Sequence, residues 1–317
     1  MTRDEVLNSI SLKKRFTKDC NLPIAIFDNP YFYERLSALD FLENSLAKFD
    51  VFCQELEPYA CEQDYFEQYN LIKDSIITDL KENTQFKILN LTQFDFKSEY
   101  SRRNVYVEDN DGLIFVSLDM KKANFSALHH WSPSIFNGCH TWEEFIGQYT
   151  DKQHIINSKY IRQVIMGACN TKKQIQYERY LMFGLLQDIT PYISGSFDVF
   201  SLGEDEIILQ PKKKIKTEED IEKLEQVINC ALNDSSIKEY IRVTTFLLEK
   251  IKGTDGWVKY IIHNSKIIEF KCLNSEIYHQ VVKHYFRYEI NENDLVFYHN
   301  GLLAKFLEPI PNPRGEL

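Results

Sequence analysis

The chain has 317 residues, 44% of them hydrophobic, with 22 Phe and 18 Tyr against 11 Gly and 9 Pro. That composition excludes a disordered, fibrous or small disulfide-stapled class and predicts a folded, aromatic-rich globule. The formal net charge of −10 excludes a generally basic nucleic-acid binder, although a local basic groove depends on arrangement and not on the total.

Residues 31–56 place Leu36, Leu39, Phe41, Leu42 and Leu46 at three-to-four spacing, and 62–82 repeats the pattern. Residues 1–90 therefore read as an N-terminal helical region, with Asn29-Pro30 as a helix start signal. From Gln85, QFKILNL reads as a short strand, and a boundary is expected near residue 90. NVYVE, the turn Asp109-Asn110-Asp111-Gly112 and LIFVSLD read as a hairpin. ANFSALHHW is helical, and TWEEFIGQY follows a loop with Pro133 and Gly138. Two further helices are predicted over 153–168 and 171–188.

FDVFSLGEDEIIL reads as a second hairpin, with the acidic tip Gly203-Glu204-Asp205-Glu206 between apolar runs. Residues 217–233 form an amphipathic helix, with Thr217 as N-cap and Glu218, Glu219 and Asp220 in the first turn, where negative charge suits the helix dipole. The strands IRVTTFLLEKI, WVKYIIH and KIIEFKCL come next, the first two joined by a turn at Gly253-Thr254-Asp255-Gly256. The chain closes with a helix at 275–287 and a hairpin turned at Asn300-Gly301. The predicted class is α+β: a helical region over 1–90, a central domain with an antiparallel sheet over 91–272, and a C-terminal β-rich extension over 273–317.

The seven cysteines, Cys20, Cys53, Cys61, Cys139, Cys169, Cys230 and Cys272, are odd in number and carry no CxxC pair. The expectation is free thiols in a reducing, cytoplasmic compartment. No apolar run approaches the roughly 18 residues of a membrane span, and MTRDEVLNSISLKKRF lacks a signal-peptide layout, so no membrane partner is expected. His129-His130 with Cys139-His140 matches no common zinc spacing. Phosphate-binding GxxxxGK[ST], GxGxxG and GxSxG motifs are absent from the sequence.

Two acidic elements carry the chemistry. Asp119 ends an apolar strand, and Asp205 sits at a hairpin tip between Glu204 and Glu206. On neighbouring strands both carboxylates would project from one sheet edge, and like charges that close are costly unless a cation lies between them. Hard oxygen ligands of this sort suit Mg²⁺ or Mn²⁺, and two such ions about 3.5–4 Å apart would orient an in-line phosphoryl displacement. Between the two acids, Arg162, Lys172 and Lys173 lie on helices where phosphate would need cations.

The segment Ser117-Leu118-Asp119-Met120-Lys121-Lys122-Ala123-Asn124-Phe125 resembles the first catalytic motif of palm-domain polymerases. It is closest to reverse transcriptases, where a strand ends in Leu-Asp-Ile-Lys-x-Ala-Phe. Ser201 to Leu209 resembles the acidic hairpin of the same fold, and is equally similar to the Gly-Gly-Asp-Glu-Phe hairpin of nucleotide cyclases. The resemblance covers residues 100–250. Asn124 stands where a reverse transcriptase carries an aromatic, Phe125 lies one place late, and Glu204 replaces the second cyclase glycine.

The resemblance implies a palm-like, ferredoxin-like β-α-β-β-α-β sheet and a nucleotidyltransferase that adds nucleoside triphosphates to nucleic acid. Asp119 and Asp205 would hold two Mg²⁺ or Mn²⁺ ions with the carbonyl of Met120, assisted by Glu206 or Glu204. Arg162, Lys172 and Lys173 would neutralise triphosphate, Asn124 and Phe125 would stand at the sugar, and a 3′-hydroxyl would attack the α-phosphate and release pyrophosphate. A protein partner would complete so small a polymerase. The alternatives are a non-catalytic assembly module, which the acidic charge favours because a polyanion needs counterion-releasing contacts, and a nucleotide cyclase, which needs no nucleic acid.

Overall fold

The computed structural model describes residues 1–312 apart from 90–93, 95, 96 and 263–267. The N-terminal region is helical throughout: α1 (Arg3–Asn8), α2 (Ile10–Asp19), α3 (Tyr31–Glu43), α4 (Ser45–Leu56), α5 (Glu62–Glu82) and α6 (Thr84–Ile88). The stretch 31–56 is two helices because Asn44 adopts φ 50°, a left-handed residue that ends α3 and starts α4. Phe16, Phe32, Phe49, Phe52 and Tyr65 are fully buried where these helices meet. Phe16 packs on Phe49 and Phe52 at ring separations of 5.1 and 5.3 Å.

The rest of the chain builds one antiparallel sheet and its helical cover. Strand β1 (Ile114–Met120) is followed by α7 (Ala123–Trp131), α8 (Trp142–Ile146), α9 (Gln153–Ile156) and the long α10 (Lys159–Ile193). The hairpin β2 (Phe197–Leu202) and β3 (Glu206–Pro211) comes next, then α11 (Glu218–Leu232), β4 (Ile241–Lys250), β5 (Trp257–Ile261) and β6 (Ile268–Lys271). The strand order is β2-β3-β1-β4-β5-β6. After β6 come α12 (Tyr278–Phe286) and a separate hairpin, β7 (Val296–His299) with β8 (Leu302–Lys305). The protein is α+β, and among the described residues no helix is long and apolar enough to cross a membrane.

One sheet face carries Val116, Leu118 and Met120 of β1 with Ile207 and Leu209 of β3, all buried in the main core with the helices. Thr245, on this side of β4, donates to Glu225 of α11 at 2.7 Å. The other face holds a smaller apolar cluster of Phe115, Ile208, Phe246, Leu248 and Trp257, with Val105 laid over it. Tyr106, Leu113, Phe200 and Ile261 pack around that cluster, and polar residues share the face with it.

Three expectations are corrected. QFKIL is not a strand: Thr84–Ile88 is helix α6, capped by Asn83, which accepts from the amides of Gln85 and Phe86. The rest of that segment, Asn90-Leu91, and the boundary expected near residue 90 touch residues outside those described, as do Lys266-Ile267 of the third predicted C-terminal strand. NVYVE does not pair with LIFVSLD, because β3 and β4 occupy both edges of β1. Instead, the Asn110 side chain donates to the carbonyl of Val105 at 2.7 Å and curls the segment. Finally, the helix predicted over 153–168 is divided into α9 and the first part of α10, whereas the break expected between it and 171–188 falls at Asn170 (φ −172°, ψ 89°), the kink within α10.

Candidate functional site

The pairing of β1 with β3 puts Asp119 directly opposite Glu206, and the pairing with β4 puts Asp119 opposite Arg242. Directly opposed residues share a sheet face, so Asp119, Glu206, Ser117 and Arg242 stand together on the polar face. Arg242 donates to Asp119 Oδ2 at 2.6 Å, and Ser117 donates to Glu206 Oε1 at 2.5 Å. The same face continues through Lys259 of β5 to Glu269 of β6, which oppose one another. Glu206, Asp119 and Arg242 thus form a charged row across three strands, while Lys259, which opposes Leu248 of β4, and Glu269 lie farther along the same face.

The hairpin tip closes this row at the end of β1. The amide of Met120 donates to the carbonyl of Asp205 at 2.8 Å, and the amide of Gly203 donates to the carbonyl of Glu206 at 2.8 Å. The two predicted acidic segments are therefore neighbours, joined through their backbones. The side chain of Asp205 reaches solvent. Partial loss of hydration nevertheless raises its pKa, and the carboxylates of Asp119, Glu206 and Glu204 push in the same direction. Glu204 is paired with Arg102 at 3.1 Å. Arg102, Arg103, Tyr106, Glu204, Asp205 and Glu206 line a cleft of about 410 Å³ over the tip.

Two groups that sequence reasoning missed belong to this region. Glu178 of α10 is 6% exposed, and burial pushes its carboxyl up to about 7, with Asp205 and Glu204 adding to the shift. Lys259 is 9% exposed with its ammonium 4.1 Å from the Phe246 ring centroid. Burial lowers its pKa, while Glu206, Glu269 and Asp119 oppose that shift. Lys259 was legible as the one charge inside the apolar run WVKYI. Glu178, one acid of many on a long helix, carries no local signal.

The remaining predicted residues are placed as follows. Met120 is buried, with only its backbone at the site. Asn124 is half-buried in the first turn of α7. Phe125 is 4% exposed and packs on Phe136 at 4.5 Å and on His129, so its ring belongs to the core and does not face a sugar. Arg162 lies beside Glu143, which pairs with Lys122, three residues past Asp119, and Arg162 Nε is buried with no hydrogen-bond partner among the described residues. Lys173 donates to the carbonyls of Phe86 and Lys87 at 2.9 and 3.1 Å, tying α6 to α10 instead of facing the acids. Lys172 is exposed just past the Asn170 break.

His129 and His130 spend their Nδ1 atoms on Tyr240 and Tyr177 at 2.8 and 2.9 Å. Among the described residues no group of three or more His, Cys, Asp or Glu side chains converges to hold a metal ion. All seven cysteines are free thiols. Comparison with protein-family models, with curated proteins and with solved structures gave no match.

Proposed function

We propose that the chain is a Mg²⁺-dependent nucleotidyltransferase of palm-like build that adds nucleotides to nucleic acid on the polar face of its sheet. The observation that carries this reading is the register: Asp119 opposes Glu206, and Met120 is bonded to Asp205, so both acidic motifs meet at the end of one central strand. The order β2-β3-β1-β4, with helices between β1 and β2 and between β3 and β4, supports a ferredoxin-like β-α-β-β-α-β unit with β5 and β6 added at its edge.

The donor set fits a hard divalent cation. Mg²⁺ is commonly held by one or two carboxylates plus substrate phosphates and water, without a closed protein cage. The raised pKa of Asp205 beside Asp119, Glu206 and Glu204 marks negative charge that a cation would neutralise. Asp119 and Asp205, with Glu206 in support, would hold the ions, and the chemistry supplied there would be Lewis-acid polarisation of the α-phosphate and a lowered pKa at the attacking 3′-hydroxyl. Arg242 and Lys259 supply positive charge on the same face, where the spread charge of a polyphosphate is taken up. Arg162 and Lys122 flank the start of α7 and would meet the outer phosphates.

The test is incorporation of a radiolabelled nucleoside triphosphate into a primer with Mg²⁺ or Mn²⁺. Asp119→Asn is expected to abolish it, by about a hundredfold or more. Absence of incorporation with every triphosphate and both metals, or activity indifferent to Asp119→Asn and Asp205→Asn, would overturn the reading. The second reading, a non-catalytic assembly module, is favoured by the Arg242–Asp119 ion pair, which already neutralises one acid internally.

A further inference from the structure

A second cleft lies away from the acidic tip, where α2, the loop after it and the first turn of α10 face the outer strand β6. It encloses about 840 Å³, within the range of about 300–1,000 Å³ typical of small-molecule sites. Lys14 and Lys18, one turn apart on α2, present their ammonium groups here. Lys14 Nζ stands 5.7 Å from the ring centroid of Phe27, and Lys18 Nζ stands 5.7 Å from that of Tyr160. Among the described residues neither ammonium has a carboxylate partner, whereas Lys271 on the opposite wall is held by Glu269 at 2.9 Å.

Each of these exposed ammonium groups lies over a half-buried aromatic ring, and Tyr160 also carries the Arg15 guanidinium at 4.5 Å. A ligand with an anion and a flat aromatic body a few ångströms apart meets both kinds of group. Glu43, at the end of α3, and Gln163 of α10 add polar groups to the lining. They suit the hydroxyl and amino donors of a sugar and a base. Tyr278 adds a third ring, its hydroxyl pKa raised by burial close to Glu43 and Glu269. We propose that this cleft is a second site, separate from the acidic face, that binds a nucleoside phosphate with its phosphate on Lys14 and Lys18 and its base against Phe27 or Tyr160. The source is a free nucleotide or the end of a single strand, which share this chemistry. The proposal does not rest on the nucleotidyltransferase reading.

The experiment measures binding of ATP, of a 5′-phosphorylated (dT)₈ and of pyrophosphate to the full chain by calorimetry. The titrations are run without divalent cation, so that metal-dependent binding at the acidic face does not contribute, and are repeated on Lys14→Glu/Lys18→Glu, on the milder Lys14→Gln/Lys18→Gln, and on Lys223→Gln, an exposed lysine of α11 outside the cleft. Both cleft lysines are exposed, so the folded state should survive, and melting curves check it; the Gln pair carries the test if the Glu pair does not fold. The expected result is that ATP or the oligonucleotide binds, that the cleft-lysine variants weaken it about tenfold or more, and that Lys223→Gln leaves it unchanged. Whichever of the two binds tighter identifies the source. Three results overturn the proposal: neither probe binds; binding survives the cleft-lysine variants or falls equally in Lys223→Gln; or pyrophosphate binds as tightly as ATP, which leaves an anion site that an acidic peptide would fill equally well.

Discussion

Glu178 shows what a single buried carboxyl does to this protein. Its ordinary value is 4.5, and in the folded state it titrates near 7. Between those values the folded chain keeps a proton that the unfolded chain has released, so stability falls as pH rises across that window and is level above it. Asp205, raised for the same reasons, acts in the same direction. Glu178→Gln removes the penalty: it is expected to stabilise the protein by about 2–3 kcal/mol at pH 8 and to change little at pH 4. Melting curves of both proteins from pH 4 to 8 check this, and a difference independent of pH would contradict it.

Helix α10 shows how an element tolerates a break. Asn170 is far from helical geometry. The buried side chain of Gln174 spans the break, its Nε2 donating to the carbonyl of Met166 at 2.6 Å. Gln174→Leu removes that bridge and is expected to cost about 1–3 kcal/mol in urea unfolding. Gln174→Ala at no cost would show that water reaches the break. The elements themselves were largely legible in the sequence: α5 and the α11 cap stand where periodicity and Thr217 put them, and the acidic hairpin turns where Gly203 predicted. NVYVE misled because β-favouring residues form a strand only where an edge is free, and both edges of β1 are taken by strands far along the chain. The same distance hid Arg242, which meets Asp119 through a strand order that no local pattern encodes; Lys259 stood out as a charge in an apolar run, but its place on this face did not.

At the scale of the molecule, the two ends of the chain are locked to each other. Asp294 is fully buried and accepts from Arg35 at 3.3 Å and from Lys283 at 2.6 Å. Arg35 also donates to the carbonyls of Asn293 and Val296 at 2.9 and 3.0 Å. Burial beside Arg35 holds the His279 imidazole far below its ordinary value, and its Nε2 donates to the carbonyl of Asp294 at 2.8 Å. Asp294→Ala strands the buried Arg35 and the half-buried Lys283 and is expected to cost about 3–5 kcal/mol, whereas Arg35→Met with Asp294→Leu should cost less than the sum of the single changes. A double-mutant cycle in urea reads the coupling, and strict additivity would deny it.

The central position of β1 sets the order in which the molecule can be made. Its two neighbours arrive only with residues 206–211 and 241–250, and the α3–α12 lock waits for Asp294. On the ribosome the N-terminal helices can assemble as they emerge, but β1 stays without a hydrogen-bonding partner until β3 is made and without its second until β4 is made, about ninety and one hundred and twenty residues later. Contacts so distant in sequence make sheet closure the slow, late step. During that interval the bare strand LIFVSLD is the segment most exposed to pairing with the wrong chain, and a chaperone that covers it has more to protect here than in the finished fold.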